Sequence, residues 1–121
     1  MKDPELDILI TELETTRNIS IAEFDGVLHA LAFLLPHVDL PAADRVSTAD
    51  QAILIADEAY PNWSIQIRGR ANDRDGHWRC TLRENDSRDS DAAIGVGRSP
   101  VLGQAILAAV LRLAMAQRGE A

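Results

Sequence analysis

The sequence has one cysteine, Cys80, one lysine, Lys2, and no apolar run approaching the eighteen or more residues of a membrane helix. A lone cysteine excludes a disulfide framework and a thiolate zinc site, both of which need several. No basic-then-apolar leader opens the chain. The expectation is a cytoplasmic protein in which the sequons Asn18-Ile19-Ser20 and Asn62-Trp63-Ser64 stay unmodified. Aromatic residues are only 4% of the total, and no internal repeat or low-complexity segment occurs. What is present suffices for one domain with a small appendage: 121 residues, 46% of them hydrophobic, with 19 acidic against 12 basic side chains. The resulting charge of −7 opposes generic polyanion binding but leaves room for a local basic patch.

That charge is uneven. Residues 1–43 hold eight acids against Lys2 and Arg17, whereas residues 44–121 hold eleven acids against ten arginines. Composition shifts at the same place, around Pro36-His37-Val38-Asp39-Leu40-Pro41. The division read from this is an acidic helical pair over 1–36, a linker over 37–43 and a domain over 44–121.

Leu6, Leu9, Ile10 and Leu13 recur at helical spacing over about 4–16, behind an acidic start. Ser20 and Glu23 make a capping-box pair that opens a second helix, which Pro36 ends. Its main apolar face carries Ile21, Phe24, Val27, Leu28, Leu31 and Leu35. The other side carries Ala22, Gly26 and Ala30 every fourth residue, with Phe33 beside them. Small residues at that spacing permit close approach of another helix, either the first helix or one from a second chain. Thr48 and Gln51 open a third helix, with Ala52, Ile53, Ala56 and Tyr60 expected inward and Pro61 as its stop.

The period then changes from 3.6 to 2. Trp63, Ile65 and Ile67 alternate with Ser64, Gln66 and Arg68, and after the turn residues 72–76 Trp78, Cys80 and Leu82 alternate with Arg79, Thr81 and Arg83. A polar loop over 85–91 leads to a short third strand expected over 92–96. Ser99-Pro100 predicts the start of a last helix that runs to about Gln117, with Gly119 placed to end it. That helix is apolar nearly all round: Leu102, Ile106, Ala109, Val110 and Leu113 on one side, Leu107, Leu111 and Met115 on the other. It therefore needs cover on two sides, one from the sheet and one from the N-terminal helices or a partner chain. The fold class expected is α+β: a three-stranded antiparallel sheet with two helices on one face, in the order α-β-β-β-α, preceded by an N-terminal helical pair. The buried trace expected is Trp63, Ile65, Ile67, Trp78, Cys80, Leu82, Leu102, Ile106, Ala109 and Leu113.

From residue 47 onward this order resembles a double-stranded-RNA-binding domain. The matching positions are Tyr60-Pro61, Gly76-His77, Gly95-Val96-Gly97-Arg98-Ser99 and the alanine-rich helix with Ala105, Ala108 and Ala109. The resemblance implies duplex-RNA binding through a lysine-rich segment just after the Gly-x-Gly-x-Ser stretch. Here that place reads Pro100, Val101, Leu102, Gly103 and Gln104, without a cation. The same span is similar to the phage ABA-sandwich domains through Trp63, Trp78-Arg79-Cys80 and Gly95 to Ser99, which implies a phage or prophage context and no chemistry.

Antiparallel pairing would gather Arg68, Arg79 and Arg83 on the sheet face opposite the helices, either as a solvated face or as a binding face for an anion. Base-stacking aromatics are missing there, since Trp63 and Trp78 fall on the core side. Nothing points to catalysis or a cofactor. His29, His37 and His77 lack ligand spacing, Cys80 alternates inward, and the Asp73-Asp75-Gly76 turn lacks the first and last ligands of a calcium loop. Asp86, Asp89 and Asp91 are read as loop solubilisers. The leading expectation is a non-catalytic protein-interaction module, with an acidic decoy of a nucleic-acid site as its narrower form. The alternative is a nucleic-acid binder using the arginine face. Ala22, Gly26, Ala30 and Phe33 are the expected interaction surface of a homodimer through the N-terminal helices. No membrane, metal or cofactor is expected.

Overall fold

The computed structural model describes residues 3–16, 19–46, 48–70, 78–84 and 94–120. Four helices and three strands follow in the order α1 (Asp3–Thr15), α2 (Ile21–Leu34), α3 (Ala49–Ala59), β1 (Ser64–Gly69), β2 (Trp78–Arg83), β3 (Ile94–Ser99) and α4 (Leu102–Glu120). The strands form one antiparallel sheet in sequence order. The α-β-β-β-α order and the helical pair before it are those expected from the sequence. One hydrophobic core runs from Leu6 to Ala114 through both, and Val38 of the linker is buried in it.

α4 is the centre of that core. Its residues 103–111 are all buried, because β3 and β2 lie on one side, α3 on another, and α1 and α2 over the rest. The strand side depends on glycine. A Cβ on Gly95 would stand 2.5 Å from the Ala109 carbonyl oxygen, and one on Gly97 would collide with the Ala105 carbonyl oxygen. With alternation both glycines face the helix, so β3 seats directly on its backbone.

The helical side depends on Gln104, which is 2% exposed. Its side-chain amide donates to the carbonyl oxygens of Leu13 (2.9 Å) and Thr16 (2.6 Å). These are carbonyls at the end of α1 that no later helical turn can satisfy, so one buried side chain both caps α1 and fixes it on α4. Glu14, one residue on, accepts from the Arg98 backbone N–H (3.1 Å) and takes a bidentate pair with Arg112, whose guanidinium also donates to the Val96 carbonyl (2.9 Å). The outer edge of β3 is thereby closed by side chains of α1 and α4.

Helix starts agree with the capping residues: the Ser20 hydroxyl accepts from the Glu23 N–H, and the Thr48 hydroxyl from the Gln51 N–H. Several expectations are corrected. β3 runs over Ile94–Ser99, past the expected end at Val96, so Ser99 belongs to the strand and α4 begins at Leu102; residues 92 and 93 lie outside the described residues. The Ser99 hydroxyl still accepts from the Val101 N–H (3.1 Å), shaping the turn before the helix. α4 continues past Gly119 to Glu120. On α3, Ile55 is buried with Ala52 and Ala56 while Ile53 is exposed, because i, i+3, i+4 spacing from Ala52 excludes position 53. Ile21 is also exposed.

Ile67 and Trp78, expected in the core, are 36% and 37% exposed. They do share the helix-side face with Cys80 and Leu82, so the register is as read, but that part of the face stays exposed, whereas Ile65 is half-buried against the core. The 72–76 turn and the 85–91 loop lie outside the described residues.

Two stability outcomes follow. Gly97→Ala should destabilise the fold by about 3 kcal/mol in urea titration, since the methyl must displace helix backbone. The Tyr60 hydroxyl is buried with no hydrogen-bond partner among the described residues, and burial pushes its pKa up to about 12. Tyr60→Phe should therefore raise stability by about 1 kcal/mol, by removing an unsatisfied polar group without changing shape.

Candidate functional site

Alternation divides the sheet into two faces. Cys80 and Leu82 point into the core, as do Gly95, Gly97 and Ser99. The opposite face consists of three cross-strand rows, given by the register: Arg68–Arg79–Arg98, Gln66–Thr81–Val96 and Ser64–Arg83–Ile94. The strands carry four arginines and no acid. Arg68 and Arg79, expected there, are directly paired. Arg83 shares the face but stands four residues along β2 from Arg79, about 13 Å away.

The third member of the tight row is Arg98, which sequence reasoning missed. With the third strand expected to end at Val96, Arg98 falls at the helix entry; a strand continued through Ser99 puts Arg98 on the outer face by the same Gly-x-Gly alternation. Three guanidinium side chains thus stand across the sheet within about 10 Å, at strand spacing. No ion pair or hydrogen bond satisfies the Arg68, Arg79 or Arg98 guanidinium among the described residues. Arginines placed directly opposite one another repel, so the row costs stability unless an anion lies on it. A cleft of about 270 Å³ lined by Gln66, Arg68, Arg79 and Thr81 opens beside them. Arg forks with neighbouring amide and hydroxyl groups suit a carboxylate or phosphate, which accept paired hydrogen bonds. No aromatic side chain lies in the three rows, as expected.

The other expected surface, on α2, is divided by the fold. Ala30 is fully buried, and Gly26 lies under α1, where a Cβ would meet the Leu9 side chain at 3.4 Å. Ala22 is exposed and Phe33 is 42% exposed. The close-packing groove is thus used in part within the chain, by the first helix.

Other groups offer little chemistry. Burial pushes the Cys80 thiol up to about 11, so it stays protonated at neutral pH. His29 and His37 are exposed, and His77 lies outside the described residues, as do Asp73, Asp75, Asp86, Asp89 and Asp91. Among the described residues no group of three or more His, Cys, Asp or Glu could hold a metal ion, and no helix is long and apolar enough to cross a membrane. An open groove of about 510 Å³ between α3 and the linker has acidic walls (Asp39, Asp57, Glu58) over Leu54 and Ile55.

With this geometry in hand, comparison with protein-family models, curated proteins and solved structures returns no match to the chain.

The α1–α2 contact carries a titratable pair. The hydrogen bond shared with Glu23, and then the charge of Glu23, hold the Glu12 carboxyl above the usual range. Accepting from Glu12 and from the Ser20 hydroxyl holds Glu23 below it. A proton held on Glu12 therefore stabilises the fold at low pH, and that contribution is lost as pH rises through the raised value; Glu23 contributes in the opposite sense. Glu12→Gln keeps a donor facing Glu23 at every pH. It should raise Tm at pH 7, with the gain shrinking as pH falls through the carboxylate range; an equal gain at pH 4 would show that the two carboxyls do not interact.

Proposed function

We propose that the chain is a non-catalytic interaction module that takes an acidic protein segment across the outer face of its sheet. The observation that carries this reading is the row Arg68–Arg79–Arg98, three cations held together whose guanidinium groups pair with no carboxylate among the described residues. The buried, protonated Cys80 and the absence of a described metal-ligand cluster support a binding role over a chemical one. The resemblance to phage ABA-sandwich domains adds a phage or prophage setting to the proposal.

A nucleic-acid reading is the alternative, favoured by the same arginines and by the α-β-β-β-α order. Two features weigh against it. α1, α2 and α3 contain no lysine or arginine, so among the described elements the cations gather on the sheet, with Arg112 of α4 engaged by Glu14. The turn at residues 100–104, where the resemblance would place phosphate-gripping lysines, is covered: Gly103 and Gln104 are buried, and Gln104 is spent on the end of α1. Duplex RNA would have to bind by the sheet, not by the helix start.

Fluorescence anisotropy with an oligo-glutamate peptide and a short RNA duplex separates the readings. The expectation is peptide binding weakened roughly tenfold by Arg79→Ala, the loss of about one charge-assisted hydrogen bond. Tighter binding of the duplex, with a steep fall as salt releases its counterions, would replace the proposal with the nucleic-acid reading. Binding of neither probe overturns both.

A further inference from the structure

β1 is an edge strand whose only hydrogen-bonded neighbour among the described elements is β2. The sheet's other edge is closed by Glu14 and Arg112, which take the Arg98 N–H and the Val96 carbonyl. Among the described residues β1 has no such cover. Of the usual edge protections it carries one charge, Arg68 near its end, and no proline, lysine or bulge interrupts Ser64–Gly69. On the helix side of the sheet, Ile67 of β1 and Trp78 of β2 remain more than a third exposed. An unpaired backbone edge thus adjoins an uncovered apolar patch.

We infer that the β1 edge pairs antiparallel with β1 of a second copy, joining two sheets into one of six strands. The sequence of β1 is suited to its own copy. A two-fold axis normal to the sheet must pair residues of like parity, so that both helix-side faces lie together. Centring that axis on Gln66 sets Ile65 against Ile67 of the other copy, Gln66 against itself and Ser64 against Arg68. The seam is then apolar on the helix side and has no arginine opposite an arginine on the other. Centring on Arg68 would oppose two like charges and is excluded. Each chain has one open edge among the described elements, so pairing ends at the dimer and does not propagate. The inference goes beyond the proposed function and does not need it: the dimer forms without an anionic ligand, and it would bring two arginine rows onto one continuous face.

The seam is short, and the expected dimer is of micromolar strength. Light scattering and sedimentation over ~1 to 100 μM should show the mass rise from 13.2 kDa toward twice that value. Ile67→Lys should hold the protein at monomer mass with unchanged circular dichroism. Should that variant not fold, cysteine cross-linking decides. Paired Cβ atoms in such a ladder lie about 5 Å apart, so oxidised Gln66→Cys should form a covalent dimer at low concentration while the unmodified chain, with only the buried Cys80, does not. A monomer at every concentration overturns the inference. So does a dimer that survives Ile67→Lys and is lost on Phe33→Lys, which would assign association to the N-terminal helices.

Discussion

A helix buried on every side for more than two turns has to be enclosed, and the enclosure of α4 governs the arrangement of everything else. Over residues 103–111 every side chain is buried, so three different surfaces must meet it at once. The strand side is possible because Gly95 and Gly97 bring β3 onto helix backbone. The α1 side is possible because Gln104 supplies the hydrogen bonds that α1's last carbonyls would otherwise lose on leaving water. Removing solvent from a helix end costs more than removing it from apolar side chains. The one buried amide therefore determines where α1 stops and how it lies.

The same enclosure decides which surfaces remain for binding. Covering α4 consumes α1, α2 and α3, and Ile67 of β1 stays exposed. Because α1 sits against Gln104, the first turn of α4 is partly covered: Leu102 is half-buried, and Gly103 and Gln104 are buried. Glu14 is likewise withdrawn from the acidic exterior by its pairing with Arg112. On the sheet, what the fold leaves open among the described residues is its polar face and the β1 edge. Both are consequences of packing, not independent additions to it.

The legible parts of the fold were those encoded in short range. Capping pairs at Ser20/Glu23 and Thr48/Gln51, the change of period near Trp63 and the two-sided apolar pattern of α4 are each local, and each located its element. Errors arose where a long-range partner overrides the local signal. Ser99-Pro100 has the chemistry of a helix start, yet β3 extends through Ser99 because its glycines gain contact with α4 by doing so. Ile67 and Trp78 alternate like core residues; alternation gives the face of a strand but not whether a helix lies on that part of it. The candidate site was half legible for the same reason. Arg68 and Arg79 follow from hairpin pairing, whereas Arg98 requires the third strand in its full length. The ion pair of Glu14 with Arg112, separated by 98 positions, has no sequence signal at all.

Charge separation adds a last constraint. α1, α2 and α3 hold ten acids and no lysine or arginine, while the three strands hold four arginines and no acid. The sheet and the helices behind it are layers about 10 Å apart, near the Debye length of about 8 Å at physiological salt. Under those conditions an approaching anion senses the sheet first, and the acids behind it are largely screened. At low salt the screening length grows past the thickness of the molecule, and the net −7 opposes approach from every side. An anion on the arginine row is thus held by short-range, geometrically specific contacts and not by the overall field. This favours a ligand with a few well-placed carboxylates over one with a dense, continuous charge, since the dense one gains most from the field that this protein lacks.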